Sequence, residues 1–521
     1  MTTSSAPEPS TPHLVPGRDV PAGEPARGPG GTEDGTGGGT GGAAPHRLAE
    51  HLVGGRAVAA EGDRVLEVVD PATGERVGEV VPATDEEVGR AVAAADAART
   101  AWRRTPPGER AAALRAAAAA VRADADELGA LLTSTTGRLL GQARASAEVA
   151  AELLEEAAVT GVLDTGRSLG GSVDAVDVVR REPRGVVAVL TPWNDPYPAA
   201  AGLLAAALVT GNTVVHKPSE RSARAGHELA RRIAGALPDG VLNVLAGDGA
   251  TGAALAADPR VHVVAHVGST ETGRRIAAAV GARGGRALLE NGGKDPLVVD
   301  AGVDPAWAAQ QVAVGAFTNT GQLCTAVERV YLHEDVADAV LAELVALADG
   351  LRPGDPADPA TGLGPLVDER QLALVDEHVR EAVEAGARVL AGGARLDRPG
   401  SFYPATVLDG CTDGMRLMTE ETFGPVAAVT RVASFAEGLA LAAAGDYGLA
   451  ATVLTPSTAH ALEAAEALEV GTVKVNAVFG GAPGGSADPR RGSGQGRGFG
   501  PDLLGELTAL KAVHLEAAPT A

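Results

Sequence analysis

Gly185-Val-Val-Ala-Val-Leu190, Thr213-Val-Val-His216, Val241-Leu-Asn-Val-Leu245, Val261-His-Val-Val-Ala-His-Val267 and Leu297-Val-Val299 are short apolar runs separated by stretches of helical composition. A strand with one wet face alternates apolar and polar residues, whereas continuous runs of this kind are buried on both faces. The pattern therefore predicts a doubly wound α/β unit, a parallel sheet with helices on either side. On the N-terminal side, Thr84-Asp85-Glu86-Glu87 has the form of a capping box opening an Ala-rich helix. Pro106-Pro107 then separates it from a second helix expected to run to about Leu132. Residues 1–45 are dominated by Gly, Pro, Ser and Thr, with Met1, Leu14, Val15 and Val20 as their large apolar residues. Such a segment buries too little surface to offset its ordering entropy and is expected to be a disordered tail, so folding should begin near His46. On the C-terminal side a second α/β stretch is expected from about Gln310 to Thr472, followed by a Gly-rich loop, Gly480 to Gly500.

At 521 residues the chain has room for roughly two or three domains. Its hydrophobic fraction is 45%, yet it holds only 6 Phe, 3 Trp and 4 Tyr, so the cores must be built from Ala, Val and Leu. Two Cys exclude a disulfide framework and a Cys-rich metal centre; no metal site is expected, and a reducing, cytoplasmic setting is favoured. With 44 basic and 67 acidic residues, a net charge of -23, nucleic acid is not an expected partner. Ala199 to Val209, the longest apolar stretch at 11 residues, falls short of the ~18 of a membrane helix. The first residues lack the basic-then-apolar order of a signal peptide, and no membrane association is expected.

Gly247-Asp-Gly249-Ala-Thr-Gly252 matches the spacing of a dinucleotide fingerprint between a strand and a helix. Gly268-Ser269-Thr270-Glu271-Thr272-Gly273 also follows a strand and opens a helix, so its first amides are equally placed to receive a pyrophosphate. The wider set of motifs separates the two. Thr191-Pro192-Trp193-Asn194, Lys217-Pro218-Ser219-Glu220, Gly268 to Gly273, Glu290-Asn-Gly-Gly-Lys294, Gly321-Gln-Leu-Cys324 and Glu421-Thr-Phe423-Gly-Pro425 together resemble the aldehyde dehydrogenase superfamily. The resemblance runs in order from about residue 50 to about 515. It implies that the glycine turn nearest the pyrophosphate is Gly268, Ser269, Thr270 and Gly273, and that the better-spaced fingerprint is a decoy.

The resemblance also implies roles. Cys324 is the nucleophile, whose thiolate adds to an aldehyde carbon. Asn194, with the backbone N–H of Cys324, forms the oxyanion hole. Glu290 is the general base that activates water on the resulting thioester, although by its sequence alone it reads equally as a surface carboxylate. Its presence favours a free carboxylic acid as product over transfer to coenzyme A. For the cofactor, Thr191, Pro192 and Trp193 line the cleft, while Lys217, Ser219 and Glu220 meet the adenosine ribose. Glu220 favours NAD, with NADP still possible, because a carboxylate repels a 2′-phosphate. Glu421 and Phe423 position the nicotinamide ribose and ring. Lys294 is expected to be an anchor without a catalytic part.

The implied architecture is a Rossmann-like cofactor domain over 46–162 and 184–292, a catalytic domain over 293–500, and an oligomerisation element over 163–183 and 501–521 that makes homodimers or homotetramers. The expected partner is a small-molecule aldehyde. The alternatives are an NADP-preferring or coenzyme A-acylating relative, a catalytically silent protein of the same fold, and a Cys hydrolase. Three departures bear on specificity. Asn291 and Leu323 stand where relatives carry other residues, and Pro483 to Arg497 is a lengthened version of the family's C-terminal glycine segment, without its usual Phe and Glu. Asp195 and Gly202 take positions where relatives place channel aromatics. Asp195 is read either as satisfied by nearby backbone N–H groups or as an attractor for a cationic aminoaldehyde.

Overall fold

The computed structural model describes residues 46–163, 166–480 and 485–518; the tail expected over 1–45 lies outside them, as do Pro483 and Gly484 of the glycine segment. The first large sheet has eight strands in the order Gly494–Gln495, Arg286–Glu290, Val261–Val267, Val186–Thr191, Thr213–Pro218, Leu242–Val244, Glu50–Val53 and Arg56–Ala59. Its five inner strands from Arg286–Glu290 to Leu242–Val244 are parallel, and the strands flanking them are antiparallel. Alternation decides what each residue meets. Val187 and Val189 face a core with Leu114, Leu154 and Leu204 of the helices Pro107–Ala123, Leu140–Leu163 and Pro196–Val209. Val186, Ala188 and Leu190 face the opposite core with Val92, Leu255 and Ile276 of Asp85–Arg104, Gly249–Ala257 and Thr270–Ala282. Both faces are covered, which is why these strands read as unbroken apolar runs. Scarce aromatics are offset by close helix contact: Ala117 and Ala118 lie in one buried cluster with Ala143, Ala147 and Ala150.

The capping box forms: the Thr84 N–H donates to Glu87 Oε2 at 2.8 Å, and the Glu87 N–H donates to Thr84 Oγ1 at 3.3 Å. The helix expected to reach Leu132 is instead two, Pro107–Ala123 and Ala125–Thr136. The break is Asp124, whose carboxylate accepts from Arg232 Nε at 2.7 Å.

The second sheet has seven strands: Arg388–Ala391, Thr406–Asp409, Val426–Val432, Val327–His333, Asp295–Val299, Ala450–Leu454 and Thr472–Val475. The grouping of Leu297-Val-Val299 with the first sheet is corrected here, since those residues pair with Val330 to Leu332 and with Thr452 to Leu454 at the middle of the second. An apolar run reports burial on two faces and carries nothing about which sheet buries it. A three-stranded antiparallel sheet joins Thr508–Glu516, Ala175–Pro183 and Arg167–Leu169. Within 293–500, the strand Gly494–Gln495 returns to the first sheet and pairs with Leu289 and Glu290. Among the described residues no helix is long and apolar enough to cross a membrane.

Candidate active site

The C-terminal ends of the first sheet's parallel strands, where α/β sheets bind ligands, carry Thr191 to Asn194, Lys217, Gly268 and Glu290, while Cys324, Glu421 and Phe423 come from loops leading into the second sheet. Thr191 ends its strand with Oγ1 2.9 Å from His216 Nε2. Pro192 and Trp193 follow, and the Trp193 indole meets Phe423 edge to face with ring centroids 5.5 Å apart. Lys217 is buried, its Nζ donating to the Pro218 and Gly247 carbonyls at 2.9 and 3.1 Å; burial holds its pKa below the usual lysine value. Ser219 caps the turn Glu220–Ser222. The Glu220 carboxylate, 42% exposed, stands 3.9 Å from Lys217 Nζ.

The two glycine turns differ at the helix end. Helix Gly249–Ala257 starts on Asp248, whose carboxylate accepts from the Ala250 N–H at 3.0 Å and from Arg64 at 2.7 Å. Helix Thr270–Ala282 starts on the neutral Ser269, which accepts from the Thr272 N–H at 3.4 Å. The first helix is capped by a carboxylate and the second by a neutral hydroxyl, with Glu271 in the second helix's first turn paired to Arg275. Gly273 packs closely on Asn291, for a Cβ there would lie 2.1 Å from Asn291 Oδ1. An exposed carboxylate at Glu220, a helix end capped by a neutral hydroxyl and a Trp–Phe pair suit an elongated dinucleotide lying across the strand ends.

Cys324 follows Thr318–Gly321, a turn in which Asn319, Thr320 and Gly321 all have positive φ (51°, 57° and 70°). Two left-handed non-glycine residues in succession are costly and persist only when their surroundings fix them. Here Asn319 Nδ2 donates to the Gln322 carbonyl at 3.2 Å and to the Asn194 carbonyl at 3.3 Å. Asn194, buried, donates from Nδ2 to that same Gln322 carbonyl at 3.0 Å. One amide hydrogen of Asn194 is thus spent on the Cys324 loop. Gly321 presses on the Glu421-Phe423 segment, for a Cβ would fall 2.0 Å from the Gly424 carbonyl oxygen. Glu290, at the end of its strand and also buried, accepts from the Gly498 N–H at 2.8 Å.

Burial dominates the electrostatics. It pushes the Glu290 carboxyl up to about 8, against the lowering effect of the Gly498 N–H. Glu421, which accepts from the Gly293 N–H at 3.0 Å, also rises to about 8 through burial and the charge of Glu328. The Cys324 thiol is pushed up to about 12 by burial and by the negative charges of Asp295, Glu290, Glu421 and Asp195. These surroundings favour the Cys324 thiol over its thiolate.

Several supporting residues lie outside the motifs. Glu328 accepts from the Phe423 N–H and the Thr422 N–H at 2.8 Å each, and Lys294 Nζ bonds Glu328 Oε2 at 2.5 Å. Lys294 is therefore an anchor, as its sequence suggested, and Glu328 is what shapes the Phe423 turn, whose φ is 55°. The sequence signal was a Glu-Arg pair, Glu328-Arg329, inside an otherwise apolar strand. Arg138 donates to the Asn194 carbonyl at 3.0 Å and to Asp195 Oδ1 at 2.7 Å, and Ser146 donates to the same oxygen at 2.7 Å. Asp195 is thus satisfied, by side chains instead of the expected backbone N–H groups, and its charge is matched by Arg138. Asn291 ties the C-terminal loop, its Nδ2 donating to the Gly492 carbonyl at 3.1 Å and its N–H to the Ser493 carbonyl at 2.8 Å. At Gly202 a Cβ would lie 3.9 Å from Phe499, so that loop returns an aromatic to the position left bare.

Comparison with known proteins agrees over nearly the whole chain. The sequence model of the aldehyde dehydrogenase family matches residues 57–513. Betaine aldehyde dehydrogenase of Cereibacter sphaeroides is 36% identical over 481 residues, covering 90% of this chain and 98% of its own. The crystal structure of an NAD-dependent aldehyde dehydrogenase from Sinorhizobium meliloti superposes with a TM-score of 0.88 at 33% identity, covering 91% of this chain and 96% of that one. The structure of PnpE in complex with nicotinamide adenine dinucleotide gives 0.88 at 32% identity, covering 91% and 99%.

Proposed function

The chain belongs to the aldehyde dehydrogenase family, an NAD(P)-dependent oxidoreductase of aldehydes, and on that premise we propose that it forms a free carboxylic acid through a thioester on Cys324. Aldehyde, water and oxidised cofactor give acid, reduced cofactor and a proton. When bound, the dinucleotide supplies the hydride acceptor. Once a base has taken the thiol proton, the Cys324 sulfur adds to the carbonyl carbon, and the oxyanion that develops is met by the second amide hydrogen of Asn194 and the Cys324 N–H. A donor so placed is worth ~3 kcal/mol in the transition state. Trp193 and Phe423 wall the cleft, and Glu421, fixed by the Gly293 N–H, turns its carboxyl group to the nicotinamide ribose. Glu290 then takes a proton from the water that hydrolyses the thioester. The observation that carries this reading is the Asn194 Nδ2 to Gln322 carbonyl bond of 3.0 Å, which sets the amide beside the nucleophile's own loop.

Purified protein with NAD or NADP and a panel of aldehydes, followed by absorbance of the reduced cofactor, tests the proposal. The free acid should form at the same rate with and without coenzyme A. No reduced cofactor from any aldehyde, or an acyl-coenzyme A product, would refute it. Glu220 supports NAD as the preferred acceptor.

Glu290 gives a pH dependence. A carboxyl whose pKa is raised to about 8 holds its proton below that value and acts as a base only above it. Turnover limited by thioester hydrolysis should therefore climb with pH through about 8, and Glu290→Gln should remove that limb from the profile.

We assign the cofactor domain to 46–162 and 184–292 and the catalytic domain to 293–500, with Gly494–Gln495 as the catalytic domain's tie to the other sheet. The three-stranded sheet exposes Val176, Leu510 and Leu515 at 57 to 61%, which supports its use in a homodimer or homotetramer. Both cysteines being free supports a reducing, cytoplasmic setting.

A further inference from the structure

The helix Pro196–Val209 begins two residues after Asn194, and of its 14 residues only Pro198 and Gly202 are not buried. With the N-cap Asp195 they stand at spacings of three and four, which is one face of an α-helix. The helix Leu140–Leu163 borders that face at both ends. Its Ser146 bonds Asp195, and its Leu153, two turns further on, lies 3.9 Å from the place a Gly202 Cβ would take, as does Phe499 of the C-terminal loop. A strip of surface thus leads away from Asn194 over Asp195, Pro198 and Gly202. It is polar at the inner end and apolar at the outer end.

Asp195 decides what this strip recognises. The bonds from Arg138 Nη1 and Ser146 Oγ, 2.7 Å each, both end on Oδ1, and among the described residues none ends on Oδ2. The Asp195 side chain is 34% exposed, against 11% for Arg138. An ionised carboxylate oxygen is an acceptor only, so the open oxygen calls for a donor. Arg138 already matches its charge, which favours a neutral donor over a cation. Asn194 and Asp195 are consecutive, with Cα atoms about 3.8 Å apart, so a substrate whose carbonyl oxygen meets the Asn194 amide brings its second or third carbon to Asp195. On the reading of Asn194 as the oxyanion donor, we propose that the substrate is a hydroxylated aldehyde, whose hydroxyl on the second or third carbon donates to Asp195 Oδ2. The rest of the molecule lies over Pro198 and Gly202, toward Leu153 and Phe499.

The test compares kcat/KM of the full-length protein for propanal, 2-hydroxypropanal, 3-hydroxypropanal, 2-methoxypropanal and 3-aminopropanal, each corrected for hydration of the aldehyde. At least one hydroxylated aldehyde should exceed propanal about tenfold or more, the scale of one hydrogen bond to a charged acceptor, and the methoxy ether, which cannot donate, should not. Asp195→Ala should bring that ratio near one, whatever it does to the overall rate, because a structural loss lowers both substrates alike. Asp195→Asn keeps an oxygen for Arg138 and Ser146 and turns an NH₂ group to the strip. The ether, an acceptor, should then rise to the level of its hydroxylated counterpart. Equal use of propanal and both hydroxylated aldehydes by the wild type, a preference for 3-aminopropanal over them, or an unchanged ratio in both variants would overturn the proposal. Oxidation of propanal without such a preference leaves the reaction itself standing, whereas no reduced cofactor from any of the five aldehydes overturns both.

Discussion

Cys324→Ala is expected to lower aldehyde oxidation by more than about 10,000-fold, the scale on which removal of a covalent nucleophile acts. Cofactor affinity should be unchanged, because Lys217, Glu220 and the helix end at Ser269 belong to another sheet and none of them contacts the thiol. The comparison that gives this result its meaning is Cys411→Ala. Cys411 is 1% exposed in the core formed with Leu408, Met415 and Leu417. Its loss removes one buried sulfur, costs about 1 kcal/mol of stability, and should leave turnover near that of the wild type. Steady-state rates of both variants, with cofactor binding measured by fluorescence, separate the two cysteines. Equal loss in both would mean that the thiol effect is structural.

How much of this was legible in the sequence depends on the range of each interaction. Val186–Thr191 and Thr213–Pro218 were visible because burial on both faces is written in consecutive residues. Arg286–Glu290 was not picked out as a strand, since Arg-Ala-Leu-Leu-Glu begins and ends with charge, and the burial of its last residue is caused by a loop over 200 positions away. The residues predicted for the cleft were singled out through their motifs, each a local constellation of neighbours in sequence. The residues that hold them in place were not. Glu328 serves the Thr422 N–H across 94 positions, Arg138 serves Asp195 across 57, and Gly498 serves Glu290 across 208. Each of these reads alone as an ordinary charge or glycine. Gly498 also shows why the altered C-terminal segment is compatible with the chemistry: a Cβ there would lie 2.2 Å from Glu290 Cγ. The lack of a side chain at Gly498, one residue past that segment, is what lets the buried carboxyl rest against a backbone N–H.

That contact makes Glu290→Gln the sharper test of mechanism. The amide oxygen of Gln can still accept the Gly498 N–H, and an uncharged side chain suits a site whose burial already raises the carboxyl to about 8. The variant should fold and bind cofactor normally, yet it has no base to offer water. Steady turnover is expected to fall by about 100- to 10,000-fold, with one equivalent of reduced cofactor per site released in a fast first turnover. Intact mass should then show the acyl group on Cys324, and an added small nucleophile should release it. A different pattern has a different meaning. Because Cys324 rests as a thiol with its pKa pushed up to about 12, a base is also needed before attack. If the first turnover is as slow as the rest and no acyl-enzyme accumulates, Glu290 is the group that takes the thiol proton. The presence or absence of the burst therefore decides which of two proton transfers this carboxyl performs, at a site where both acceptor and donor are held back from ionising by the same burial.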